Sequence, residues 1–261
     1  MLIGREQERA KLYEAVCDRR SLLVSGPAGS GKSALLEEVL SSLAASIRGR
    51  LIFCSVEGPP NTIWQHLVLA LGAAGDPDVL VRAEREAGSR AHLGRWIKAQ
   101  TSLRLRGILR RAARSREYSI FLDAKDPLPD GVYRLLQEWV WSRRTPVVLL
   151  ARGATQTELG KASRLYWHDG LRLTLGPLAP ASAEILLEHA IARFQLASFA
   201  DGDFRSFVLE QSARFPSGIV RLCELASDAA YHSSGRLKLH TLAIDFMLQQ
   251  RRTTERAALH A

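Results

Sequence analysis

One eight-residue segment, Gly26-Pro27-Ala28-Gly29-Ser30-Gly31-Lys32-Ser33, constrains this chain more than any other part of it. It has the spacing Gly-x-x-x-x-Gly-Lys-Ser and separates two runs of different character. Before it stands Ser21-Leu22-Leu23-Val24-Ser25, short and nearly all apolar, as suits a strand buried on both faces of a parallel sheet. After it Leu35, Leu36, Val39, Leu40 and Leu43 recur at helical spacing. A glycine-rich turn in that place has a mechanical reading. The glycines allow a tight loop whose successive backbone N–H groups face phosphate oxygens. The positive end of the following helix faces the same anion. Lys32 would reach the β- and γ-phosphates, and the Ser33 hydroxyl would hold Mg²⁺. The cradle expected from the sequence is Gly26, Pro27, Ala28, Gly29, Ser30, Gly31, Lys32, Ser33 and Ala34, with ATP and Mg²⁺ as its ligands.

Further along, apolar runs at 51–55, 118–123 and 146–151 and an alternating run at 171–175 read as strands. Helical stripes lie between them at about 62–71, 91–114 and 132–143, and residues 5–17 read as a helix ahead of the first strand. A Gly/Asp/Pro loop is expected at 72–78. After Gly176 only helices are expected, near 181–194, 203–213, 217–231 and 239–250. Strands alternating with helices predict an α/β fold with a five-stranded parallel sheet. The strand-free remainder predicts a small all-helical lid. The expected division is a nucleotide-binding core at 1–176, a lid at 177–250 and a tail at 251–261.

The third strand ends on Asp123. In phosphate-loop folds the carboxyl edge of the sheet carries a second acidic group that holds Mg²⁺ directly or through water. Asp123 is the candidate, with Ser33 as the other metal ligand.

With these residues in place, the chain resembles the AAA+ and STAND ATPases, in particular the origin-recognition initiators. Ile3-Gly4-Arg5-Glu6-x-Glu8 is similar to the box that packs near adenine in that family. Arg152, after the fourth strand, stands at a position like the sensor-1 residue. Gly218-Ile219-Val220-Arg221 resembles the sensor-2 Gly-x-x-Arg, and Arg164 lies where such families carry an arginine finger. Each arginine also has a plain reading as a surface residue. The resemblance implies a nucleotide-dependent conformational switch, and it raises a homo-oligomer as a partner. Two departures stand out. The acidic strand end is followed by Ala124 rather than by the glutamate that orients water, so hydrolysis is expected to be slow. Asp126 either substitutes at longer reach or belongs to an Asp126-Pro127 turn. The initiators also carry a winged-helix domain after the lid, and residues 251–261 are too few for one. A small-molecule or nucleotide kinase, or a binding module without turnover, would use the same loop.

The formal net charge is +9, and residues 82–117 hold +8 of it through ten arginines and Lys98 against Glu84, Glu86 and Glu117. That local excess suits a polyanion such as DNA, or equally a solvated helix face or a protein partner. Arg104, Arg111 and Arg114 are expected to point outward together. The three cysteines and the helix-borne tryptophans read as buried. The histidines show no metal-ligand spacing. No apolar run approaches the roughly 18 residues of a membrane span, no secretory leader is expected, and free thiols suit the cytoplasm.

Overall fold

Five strands form one sheet: β1 (Leu22–Gly26), β2 (Leu51–Ser55), β3 (Ser119–Ala124), β4 (Val147–Arg152) and β5 (Arg172–Thr174). Their order is β2-β3-β4-β1-β5, and every pairing is parallel. β1 is buried at all five positions, which is why its sequence is a continuous apolar run rather than an alternating one. Chain order reverses beside β1, and open parallel sheets of this kind take ligands outside the carboxyl ends of their strands at such a point. The computed structural model describes residues 2–115, 118–124, 126–143, 145–233 and 236–259.

Helices join the strands. α1 (Glu6–Cys17) precedes β1, α2 (Lys32–Ser42) and α3 (Ala45–Arg48) precede β2, and α4 (Pro60–Ala73) follows it. Where a loop and one long helix are expected, the structure has three helices: α5 (Pro77–Ala87), α6 (Leu93–Lys98) and α7 (Ser102–Ser115). α5 starts at Pro77, with Asp76 accepting from the Val79 N–H at 3.0 Å, a start signal that lay inside the predicted loop. The expected helix over 91–114 breaks at 99–101. The Gln100 side chain there donates back to the Trp96 carbonyl at 2.9 Å, and Thr101 Oγ1 accepts from the Arg104 N–H at 3.4 Å, opening α7. The inward positions Ile97, Leu105, Ile108, Leu109 and Ala112 are buried as the spacing predicts. α8 (Asp130–Ser142) leads to β4, and α9 (Gln156–Leu159) and α10 (Lys161–Leu165) lead to β5.

Beyond β5 lie α11 (Pro180–Arg193), α12 (Gly202–Gln211), α13 (Pro216–Ala226) and α14 (Leu239–Leu259). Their shared core includes Leu187, Phe204, Val208, Ile219, Leu222, Leu242 and Phe246. Contrary to the strand-free expectation, a two-rung antiparallel hairpin, β6 (His232–Ser233) and β7 (Arg236–Leu237), precedes α14. Two residues per strand are too few to leave a periodicity in sequence. α13 stops at Ala226, short of the expected 231, and α14 continues past residue 250.

The chain divides into two compact units. One comprises Gln7–Gly26 and Leu36–Thr174; the other comprises Met1–Glu6, Pro27–Leu35 and Leu175–Ala261. The glycine-rich loop is therefore packed with the C-terminal helices, although the strand that leads into it belongs to the sheet. Two burial expectations fail. Cys54 and Cys223 are buried but Cys17 is exposed, and of the helix-borne tryptophans Trp64, Trp96 and Trp139 are core while Trp141 is exposed. Trp141 lies one residue before the end of α8, on a face the core does not reach.

Candidate functional site

β1 delivers the chain to Gly26, whose register partner on β4 is Arg152. From there Gly29 and Gly31 take φ of +78° and +95°, values that glycine adopts without steric cost. The Ser30 N–H donates to the Pro27 carbonyl at 3.3 Å, and the Leu35 N–H donates to the Gly31 carbonyl at 2.9 Å. α2 opens at Lys32, directly after the loop, and the first turn of a helix is where backbone N–H groups are offered to an anion. Ser33 and Ala34 are exposed. Lys32 Nζ lies across the loop and donates to the Pro27 carbonyl at 2.9 Å and to Ser30 Oγ at 3.4 Å. An ammonium resting on two neutral oxygens, beside a row of helix-opening N–H groups, is a donor set that fits a phosphate chain.

Two residues distant in sequence, Arg5 and Ser217, hold this loop. Arg5 is buried, and its Nη2 donates to the Ser30 carbonyl at 3.4 Å and to the Gly176 carbonyl. Gly4, at φ +66°, lies against α11, where a Cβ would stand 2.3 Å from that of Ser182. The Ser217 N–H, in the first turn of α13, donates to the Gly29 carbonyl at 3.3 Å. Ile3 is half-buried beside Gly4. Sequence reasoning found Ile3, Gly4 and Arg5 but not Ser182 or Ser217. The one local cue at 217 was Pro216, which marks a helix start.

The remaining candidates fall at separate places. Asp123 is half-buried near the end of β3, in register with Ser55 on β2 and Leu150 on β4. Its carboxylate makes no hydrogen bond or ion pair with another described residue. Ala124 points into the core at 3% exposure, on the opposite face of the strand from Asp123. Asp126 is half-buried. Arg152 is exposed at the tip of β4, and the loop after it is well fixed. Glu158 accepts from the Ala154 and Thr155 N–H groups at 2.7 and 3.1 Å, and Thr155 Oγ1 accepts from the Glu158 N–H. These backbone bonds hold the Glu158 carboxyl below its ordinary pKa. The Thr155-x-x-Glu158 spacing carried that signal, and sequence reasoning passed over it. Arg164 is exposed on α10 between buried Ser163 and Leu165. Arg221, on α13, donates to Gln249 Oε1 through Nε at 3.0 Å and Nη2 at 2.8 Å, and pairs with Glu224 at 2.5 Å.

The basic segment is partly neutralised, twice by its own carboxylates and once by Glu138 on α8. Arg90 pairs with Glu84 at 3.1 Å, Arg110 with Glu138 at 2.9 Å, and Arg104 with Glu86. Glu86 also accepts from Trp96 Nε1 at 2.9 Å, tying α5, α6 and α7 together. Arg111 is exposed as expected, and the side chain of Arg114 lies outside the described residues. Arg95 and Lys98 are exposed on α6. Among the described residues no His/Cys/Asp/Glu group of three could hold a metal, and no helix is long and apolar enough to cross a membrane.

Solved structures share the fold, three among them as follows. Orc1 of Aeropyrum pernix in complex with DNA is 17% identical, with a TM-score of 0.56 over 97% of this chain and 66% of its own. The Walker-type ATPase PABY2304 of Pyrococcus abyssi is 13% identical, with a TM-score of 0.59 over 99% and 75%. Cdc6p from Pyrobaculum aerophilum is 14% identical, with a TM-score of 0.52 over 88% and 62%. The chain thus spans about two thirds of the Orc1 and Cdc6p chains. No curated protein matches it. Residues 1–165 match the family model of the AAA ATPase domain, a stretch that takes in the strand–loop–helix cradle, Asp123 and Arg152. With the parallel sheet and the Orc1-like fold, the match makes the chain a member of the AAA ATPase domain family, a P-loop ATPase with an origin-recognition-like AAA+ core.

Proposed function

We propose that the chain is a nucleotide-dependent conformational switch of the AAA+/STAND type, binding Mg-ATP on Gly26–Ala34 and hydrolysing it slowly. The observation that carries this reading is the grip on the loop. Arg5 on the Ser30 carbonyl and Ser217 on the Gly29 carbonyl tie the phosphate-binding residues to the C-terminal helices, so a ligand that alters the loop acts on those helices directly. Lys32 takes the terminal phosphates. Ser33 and Asp123 hold Mg²⁺, which supplies charge neutralisation at the phosphates. Ile3, Gly4 and Arg5 form the adenine side. Arg152, Arg164 and Arg221 are the sensor and finger candidates. Buried Ala124 in place of a water-orienting carboxylate supports slow turnover, with Asp126 as the remaining candidate base. Residues 1–176 serve as core, 177–250 as lid and 251–261 as tail. Free cysteines fit a cytoplasmic setting.

Calorimetry of Mg-ATP binding to the folded wild type and to Lys32→Ala tests the site. Strong binding by the wild type and a loss of at least tenfold in the variant are expected; equal affinities would remove Lys32 from the site.

A second reading adds DNA as a partner, through exposed Arg95, Lys98 and Arg111, with a second copy of the chain as the rival partner. What favours DNA is the +8 excess confined to 82–117 and the likeness in fold to Orc1, which was seen with DNA.

A further inference from the structure

The first turn of α13 approaches the phosphate loop more closely than any hydrogen-bond description conveys. A Cβ placed on Gly29 would stand 1.8 Å from Ser217 Oγ and 2.9 Å from Ser217 Cβ. A Cβ on Gly31 would meet Pro216 Cγ at 3.9 Å. Pro216 and Ser217 are therefore seated on Gly29–Gly31, and the Ser217 N–H reaches the Gly29 carbonyl at 3.3 Å.

That end of the helix is held from behind. Gly218 is packed on Ser212, whose Cα and Cβ would lie 3.0 and 2.8 Å from an added Cβ. Ile219, Leu222, Cys223 and Ala226 are buried in the helical core. The Arg214 carbonyl, just ahead of α13, accepts from the Leu178 N–H at 3.0 Å. The helix is fixed within its own core, so a change at this contact begins in the loop. Arg221, one turn further on, is occupied by Glu224 and Gln249 on an exposed face.

We propose that Ser217 is a positioning residue for the nucleotide, the point at which the C-terminal helices read the state of the phosphate loop. This rests on the nucleotide reading above. In the structure Lys32 Nζ closes the turn from Pro27 to Ser30 by bonding both ends of it. Terminal phosphates compete for that ammonium. Once Lys32 leaves, the Pro27–Ser30 turn keeps only its own bond from the Ser30 N–H to the Pro27 carbonyl, and the Gly29 peptide, at φ +78°, re-aims its carbonyl at Ser217. A nucleotide with a γ-phosphate draws Lys32 away more completely than one without. The Ser217 contact therefore differs between ATP and ADP, and Ser217 contributes to telling them apart.

The test is a double-mutant cycle on the whole chain, read by calorimetry with Mg-ATP and Mg-ADP, with circular dichroism to verify folding. Gly29→Ala alone should lower Mg-ATP affinity by at least about tenfold, through crowding against Ser217 and strain at positive φ. Ser217→Gly should restore about three- to tenfold of that loss in the double variant, because it removes the crowding and leaves the strain. A loss of the same size with and without Ser217→Gly would overturn the proposal. If Gly29→Ala does not fold, hydrogen exchange of the peptide covering 215–220 in the wild type decides. Exchange that differs between Mg-ATP and Mg-ADP supports the contact as a reader; identical exchange in both overturns it. The two readings fail in different ways. A wild type that binds neither nucleotide defeats both, whereas normal binding that is sensitive to Lys32 but shows no coupling defeats only the role of Ser217.

Discussion

Arg5 and Ser30 are joined by a bond that ties the start of the chain to its phosphate loop: the buried guanidinium donates to the Ser30 carbonyl at 3.4 Å, and the same nitrogen also serves the Gly176 carbonyl. A lysine ammonium is more strongly hydrated than a guanidinium and sits on a flexible stem, so burying it in the same place costs more and orders more side-chain freedom. Arg5→Lys should therefore lower unfolding free energy by about 2 kcal/mol, the scale of a buried hydrogen bond to a charged group. It should also weaken Mg-ATP binding, because the loop loses one of its clamps. Urea denaturation and calorimetry on the same sample check both. Unchanged stability would mean that the buried guanidinium contributes nothing.

Turnover should lie well below the enzyme median of roughly 10 s⁻¹. Ala124 is 3% exposed and sits in the sheet core. Ala124→Glu would thus place a carboxylate among apolar side chains rather than beside the nucleotide, and it should destabilise the fold without raising the rate. Phosphate release and a thermal melt on the variant measure the two effects. A faster, equally stable enzyme would contradict the placement of Ala124.

The loop behind Arg152 should be acid-sensitive. Glu158 is held below its ordinary pKa by the Ala154 and Thr155 N–H groups. A depressed carboxylate stabilises the fold fully above its unfolded pKa, and that contribution disappears as pH falls through the lowered folded value. Glu158→Gln should therefore melt earlier than wild type at neutral pH, with the gap closing in acid. A gap independent of pH would argue that the bond is not made by the ionised form.

For DNA, Arg104 and Arg110 are poor reporters, because each already has a carboxylate partner. Replacing Arg95, Lys98 and Arg111 with Glu should abolish binding to duplex DNA, measured by fluorescence anisotropy. Wild-type affinity should fall steeply as salt rises, because releasing condensed counterions into a saltier solution gains less entropy. Base preference is not expected from phosphate contacts. Light scattering shows whether assembly survives the change. No binding by the wild type at low salt, with or without ATP, would end the DNA reading.

How much of this was visible in the sequence depended on the range of the interaction. The strand, loop and helix around Gly26–Ser33 were legible because burial on both faces, backbone freedom and helical spacing each leave a local pattern. The inward faces of α6 and α7 were legible for the same reason. The break at 99–101 was not, since Gln100 and Thr101 end and begin helices through side-chain bonds that spacing does not reveal. Glu86 read as one acid in a basic stretch, yet it joins Trp96 and Arg104. Ser217 left no trace beyond the proline before it, because its meaning comes from Gly29 on a distant part of the chain. Arg221 matched a motif, while the bonds it makes to Glu224 and Gln249 belong to tertiary structure.

The unequal burial of the three thiols gives the protein a ready attachment point for a dye. Desolvation pushes Cys54 and Cys223 up to about 12, so both stay protonated and inert toward maleimides near neutrality, whereas Cys17 is exposed at the end of α1. A single fluorophore can thus be placed on the natural sequence, at Cys17, with no cysteine removed. Because Cys17 belongs to the sheet-bearing unit and α13 to the other, pairing that dye with an acceptor introduced on the exposed face of α13 would measure whether nucleotide addition changes the distance between the two labels.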